Sequence, residues 1–193
     1  FDTGHSQDCY RQDPTTSGGG SIFTGSLVRI LIAGAGAIGG YIGGRLAMSG
    51  ADVTLFARGA HLHAMRDRGL RVMTSEGDFE VKPRIVGELA AVGETDVIFL
   101  GVKAHGLTDL APKLRPLFTP ETVVISTQNG IPWWYFQLHG GELEGWSLES
   151  VDPGGLIAAA IESRRVVGSL AYFATEIVGP GIIRHVEGNR ISF

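Results

Sequence analysis

A run of β-branched and aliphatic residues, 28–33, passes directly into Gly34-Ala35-Gly36-Ala37-Ile38-Gly39-Gly40, and this junction restricts the chain to few folds. The run is too short for an ordinary helix. It is also too uniformly apolar for a strand with one wet face, so it reads as a parallel strand covered on both sides. Gly34, Gly36 and Gly39 then stand at G-x-G-x-x-G spacing. In such a turn the first glycine permits the sharp bend and the second lets main chain approach a pyrophosphate. The third removes a side chain where helix meets strand. Residues 38–49 continue as a helix, with Ile38, Ile42, Leu46 and Ala47 at helical spacing and Gly50 placed to end it. Its start aims free amides and the positive end of the helix dipole at the place a phosphate would occupy. The same glycines would suit a tightly packed α/β core that binds nothing; the strand before and the helix after favour the dinucleotide.

Composition narrows the class further. With 193 residues, 44% hydrophobic and 19% charged, the chain can bury one sizeable core. A net charge of -4 with both signs interspersed offers no surface for nucleic acid or an anionic membrane. The uncharged, apolar run 30–44 is too short and glycine-rich to cross a bilayer. Cys9 is the only cysteine, so no disulfide forms within the chain and a reducing cytoplasm is the expected compartment. Residues 1–26 are polar and rich in Gly, Ser and Thr; they read as a disordered leader or a remnant of cloning, without the pattern of a signal peptide. Residues 27–193 read as one domain.

Residues 52–58 read as the second strand, and its end selects the nucleotide. An acid there would accept hydrogen bonds from a ribose 2′-hydroxyl, whereas an arginine suits a 2′-phosphate. Arg58 holds that place, so NADP is expected rather than NAD, unless Arg58 is merely a solvated residue opening the next helix. That helix, 59–68, carries His61 and His63, which read as surface histidines on different faces rather than metal ligands, and no metal site is expected. Residues 70–74 and 79–86 read as a β-hairpin at the sheet edge.

Residues 96–103 form the next buried strand, with Lys103 at the carboxyl end where open α/β sheets bind ligands. Lys103 suits a cofactor phosphate, a substrate carboxylate, or a solvent-reaching structural role. Leu107, Leu110, Leu114 and Leu117 mark a core-facing helix. Residues 122–130 run from strand into turn, placing Asn129 on the same edge, where its amide suits the nicotinamide ribose or the substrate. Asn129-Gly130 is equally an ordinary turn pair. The aromatic cluster 132–136 suits a pocket wall, a domain interface or core packing. Residues 140–155 read as a loop, and 166–173, 182–186 and 190–193 as strands.

Five motifs in this order, Gly34 to Gly40, Phe56-Ala57-Arg58, Val102-Lys103-Ala104, Gln128-Asn129-Gly130 and Gly181-Ile182-Ile183-Arg184-His185, carry a resemblance. From Leu27 to its end the sequence resembles the nucleotide-binding half of the ketopantoate reductases (2-dehydropantoate 2-reductases). The resemblance implies a Rossmann-type, doubly wound, mainly parallel α/β sheet that binds NADPH. It places Gly34, Ala35, Gly36, Ala37, Ile38 and Gly39 on the pyrophosphate, Arg58 and Lys103 at the adenosine 2′-phosphate, and Asn129 on the nicotinamide side. Ala174, after the strand ending at Phe173, matches a further family cofactor contact.

The implied reaction is hydride reduction of ketopantoate, or a related 2-keto acid, to the 2-hydroxy acid in pantothenate biosynthesis. Family members carry a second, helical domain that supplies the catalytic acid lysine and most substrate contacts. By this resemblance that lysine lies beyond Phe193, no catalytic residue falls within the chain, and the chain alone is inactive. An uncovered apolar face and self-association, at its simplest a homodimer, are then expected. The tryptophans after Asn129-Gly130 and the long glycine-containing loop differ from the smallest family members, which leaves the keto acid open. Two other readings stay open: a non-catalytic NADP(H)-binding module or truncated product, and an interaction protein with Trp133-Trp134 as its contact.

Overall fold

The computed structural model describes residues 28–138 and 140–193. The leader reading for 1–26, with Cys9 in it, lies outside the described residues. In chain order the elements are β1 (Arg29–Ala33), α1 (Ala37–Met48), β2 (Asp52–Phe56), α2 (Gly59–Arg68), β3 (Leu70–Met73), β4 (Phe79–Val81), β5 (Arg84–Val86) and β6 (Thr95–Leu100). There follow α3 (Leu107–Leu114), β7 (Phe118–Ser126), α4 (Leu156–Ala160), β8 (Val166–Gly168), β9 (Leu170–Gly179) and β10 (Ile182–Ser192).

Six strands form the main sheet in the order β5-β2-β1-β6-β7-β8, and every neighbouring pair in it is parallel. Counting only its own strands, this is the 3-2-1-4-5-6 order of a Rossmann sheet, with β1 at the centre. Consecutive β1 residues feed opposite cores, as a doubly covered strand must. Leu31 packs with Leu107, Leu110, Leu114 and Ile157 of α3 and α4. Ile32 packs with Ile42, Leu55 and Met65 on the α1 and α2 side. Each such fully buried aliphatic side chain stabilises the fold by roughly 1.5–3 kcal/mol. At the opposite end of the sheet Arg29 grips Asp96 through Nε at 3.1 Å and Nη2 at 2.8 Å, pinning β1 to β6. That guanidinium holds the Asp96 carboxyl down at about 2.

A second sheet, β4-β3-β10-β9, covers the outer side of α1. The helix is therefore pressed between two sheets, and its glycines are what let it fit. A Cβ on Gly43 would stand 2.4 Å from Leu55 of the main sheet, and one on Gly40 would stand 2.3 Å from Ile183 of the second. Tyr41 stacks on His185 with ring centres 4.8 Å apart.

Here the structure corrects the sequence expectations. The segment 79–86 is not one hairpin arm: it breaks after Val81, so that β4 pairs with β3 in the second sheet while β5 joins the main sheet beside β2. Pro83 lies in the break, where a residue without an amide hydrogen interrupts a ladder. The expected strand 166–173 divides between sheets at Ser169, and β9 and β10 are longer than expected, pairing over nearly their whole length. The short helix α4 was not anticipated.

Candidate functional site

The three motif glycines meet different surroundings. Gly34 has φ of +114°, and a Cβ there would lie 2.6 Å from Val102 Cγ1 and 2.9 Å from its backbone nitrogen. Only glycine fits both demands. A Cβ on Gly39 would lie 2.2 Å from the Gly34 carbonyl oxygen and 2.9 Å from Ile32. A Cβ on Gly36, by contrast, would meet nothing nearer than the Gly101 oxygen at 4.0 Å. Two glycines make the turn and its packing possible, and the middle one faces space. Ala35 is buried, its N–H donating to the Phe56 carbonyl at 2.7 Å, which ties the turn to the end of β2.

Gly36 is also the residue before α1, and no side chain caps that helix start. The first bond of the helix closes from Gly40 N–H to the Gly36 carbonyl at 2.8 Å. The amides of Ala37, Ile38 and Gly39 precede that bond and have no intrahelical acceptor. They face the carboxyl edge of the sheet with the positive end of the helix dipole.

Beside this turn a cleft of about 350 Å³ opens over the ends of β6 and β7. Its walls include Ile38, Gly101, Lys103, Thr127, Gln128 and Asn129. Lys103 is exposed, directly before the short 3-10 turn that follows β6. Arg58 lies on the other flank of the turn, opening α2 just beyond β2, with its guanidinium 5.4 Å from the centre of the Phe56 ring. Among the described residues neither cation has an acidic partner. The structure thus brings Ile38, Lys103 and Asn129 into one cleft, places Arg58 on the same edge outside its lining, and sets Ala174 within β9, opposite Glu187 in the second sheet.

Of three further residues on the edge, Gly101 and Thr127 were not singled out in the sequence, and Gln128 was named only within its motif. Gly101 must lack a side chain, since a Cβ there would stand 2.3 Å from the Gly34 oxygen. Gln128 donates through Nε2 to the Val102 carbonyl at 3.0 Å, and the Thr127 hydroxyl donates to the Leu100 carbonyl at 2.9 Å, which fixes the cleft wall. A glycine closing an otherwise aliphatic strand was the available signal for the first. His61 was expected at the surface; instead its ring is half-buried and its Nδ1 accepts a hydrogen bond from Gly181.

A second hollow of about 350 Å³ lies one strand further along the edge, at the ends of β7 and β8. Gln128, Gly130, Trp134, Ser169 and Leu170 line it. The aromatic cluster therefore divides: Trp133 is buried in the core, Trp134 walls the hollow, and Tyr135 is exposed. No helix among the described residues is long and apolar enough to cross a membrane.

The sequence profile of the family described as Ketopantoate reductase PanE/ApbA matches residues 30–133. A 2-dehydropantoate 2-reductase of Mesorhizobium japonicum is 46% identical over 86% of this chain and 51% of its own length. Among solved structures, a Ralstonia solanacearum protein assigned to the ketopantoate reductases is 43% identical with a TM-score of 0.81, covering 86% of this chain and 51% of that one. A 2-dehydropantoate 2-reductase from Methylococcus capsulatus is 26% identical with a TM-score of 0.65, over 85% and 47%. The chain spans about half the length of these relatives. With its glycine turn, parallel strand order and carboxyl-edge cleft in the same stretch that the profile matches, the chain belongs to the ketopantoate reductase family.

Proposed function

We propose that this chain is the nucleotide-binding half of an NADPH-dependent 2-keto acid reductase. The observation that carries this reading is the open face of Gly36 at an uncapped helix start, between two glycines that tolerate no side chain. A diphosphate fits such a place, because main-chain donors approach it without a Cβ in the way. On this reading Gly34 to Gly39 hold the pyrophosphate. Arg58 and Lys103, free of carboxylates, hold the 2′-phosphate; Asn129 holds the nicotinamide ribose, and Ala174 adds a contact from β9. NADPH bound there supplies a hydride to the keto carbon.

The hollow along Trp134 takes the 2-keto acid, ketopantoate or a relative of it. Hydride delivery leaves an alkoxide that needs a proton donor, worth roughly 10² to 10⁴ in rate. That donor is the family's lysine, assigned to sequence after Phe193, so residues 28–193 alone bind nucleotide without turnover. A cytoplasmic place in pantothenate biosynthesis follows from the same reading.

A fluorescence titration with NADPH and NADH tests it. NADPH should bind at least tenfold more tightly, and replacing Arg58 and Lys103 together with alanine should lower that affinity by roughly 10- to 100-fold. Equal affinity for both nucleotides would remove the role given to Arg58. NADPH oxidation by a chain extended past Phe193, against a panel of 2-keto acids, identifies the substrate.

A further inference from the structure

The hollow beside Trp134 differs in chemistry from the cleft it adjoins. The cleft carries Lys103 and Asn129, whereas the hollow has no charged side chain in its lining among the described residues. Gln128 lines both, so the two spaces meet across one side chain. That side chain is held, its Nε2 donating to the Val102 carbonyl at 3.0 Å. Ser126 and Ser169 are buried, and the Ser169 hydroxyl donates to the Ser126 carbonyl at 2.8 Å. The wall left for a ligand is mainly apolar, with Trp134, Pro132 and Leu170 in it.

Packing fixes the Trp134 ring. It meets the ring of buried Trp133 edge to face, with centres 4.3 Å apart and 84° between the planes. Gly168, the last residue of β8, lies against it: a Cβ there would stand 3.7 Å from Trp134 Cζ2, an ordinary contact distance. Leu170 opens β9 and is about half-exposed, adding an aliphatic edge to the wall. A carboxylate seated in this hollow would give up water with no cation to replace it. An apolar group seated there gains burial, and a flat ring adds offset or edge-on contact with the indole.

We propose that the hollow takes the side chain of the keto acid, and that the substrate is a 2-keto acid whose side chain is large and apolar, an aryl group above all. Trp134 is then the residue that determines specificity. This rests on the reductase reading given above and narrows it. The keto carbon sits at the Gln128 border, toward the nucleotide cleft, and the carboxylate turns away from the hollow. Ketopantoate, whose branched side chain ends in a hydroxyl, suits the hollow less well, because that hydroxyl loses water against the wall.

The test measures kcat/KM for NADPH oxidation with phenylpyruvate, 4-methyl-2-oxopentanoate, ketopantoate and pyruvate, in the chain extended past Phe193. The wild type prefers phenylpyruvate to ketopantoate and to pyruvate by about tenfold or more, the scale on which an apolar pocket discriminates. In Trp134→Ala the ratio of phenylpyruvate to pyruvate falls about tenfold, mostly through KM. Trp134→Leu keeps apolar bulk without the ring, so phenylpyruvate loses ground to 4-methyl-2-oxopentanoate. A wild type that turns over ketopantoate as well as phenylpyruvate overturns the substrate class. An equal loss for phenylpyruvate and pyruvate in both variants, the mark of a structural role, overturns the assignment of Trp134. A wild type that binds NADPH and reduces none of the four overturns the reductase reading itself, and the substrate class with it. If Trp134→Ala does not fold, Trp134→Leu and the wild-type ranking still decide.

Discussion

At Gly34 and Gly39, in the turn between β1 and α1, backbone meets its neighbours at distances that no added side chain could enter, whereas the hairpin of β9 and β10 leaves Leu170, Tyr172, Ile177 and Val186 half-exposed. The first region is specified by what is missing from its residues. The second is specified by main-chain pairing over almost the whole length of two strands, with few of its side chains fully buried. A region built on close backbone approach fails at the first added carbon. One built on a ladder with wet side chains absorbs most substitutions, the exception being Gly188, where a Cβ would run into the Tyr172 and Phe173 backbone.

Substituting into each region separates the two most sharply. Gly39→Val drives side-chain atoms into the Gly34 carbonyl and Ile32, and should cost at least about 3 kcal/mol in thermal or urea unfolding. Retention of near wild-type stability would mean that the turn yields more easily than its contacts indicate. Arg58→Ala with Lys103→Ala comes next: both cations are exposed, so unfolding should change by no more than about 0.5 kcal/mol. NADPH affinity should nevertheless fall by roughly 10- to 100-fold, the loss of one or more charge-assisted contacts.

The acid limb of stability should trace to the far end of the sheet. Asp96 is held at about 2 against an ordinary 3.8, so the Arg29 pairing stabilises the fold fully above 3.8 and is lost as pH falls toward 2. Urea unfolding across that range should show a slope that Asp96→Asn reduces. The smallest effect belongs to the hairpin. Ile177→Lys and Val186→Lys should shift stability by about 0.5 kcal/mol or less while lowering self-association in light scattering, if the exposed apolar side chains there are what copies of the chain share.

The same contrast explains how much was readable in the sequence. Glycine spacing is a direct record of backbone contact, so Gly34, Gly36 and Gly39 announced the turn, and the aliphatic runs at 28–33 and 96–100 announced the sheet. The second sheet left a weaker trace. Its strands mix exposed and half-buried residues without clean alternation, and no local rule assigns β3 to β10 across more than a hundred residues. One signal was present: Gly40 and Gly44 lie off the motif on another face of α1, and that face needed a partner. Of the expected site, Lys103 and Asn129 share a cleft because strand ends converge, which topology alone dictates. The burial of His61 depends on a turn 120 residues away and had no local signature.

Gly36→Val tests the central claim most directly, because the added side chain points into space that only a bound diphosphate would fill. Isothermal titration with NADPH should show at least a hundredfold loss of affinity while the melting temperature stays within a few degrees of the wild type. Unchanged NADPH affinity in a folded Gly36→Val chain would contradict the account.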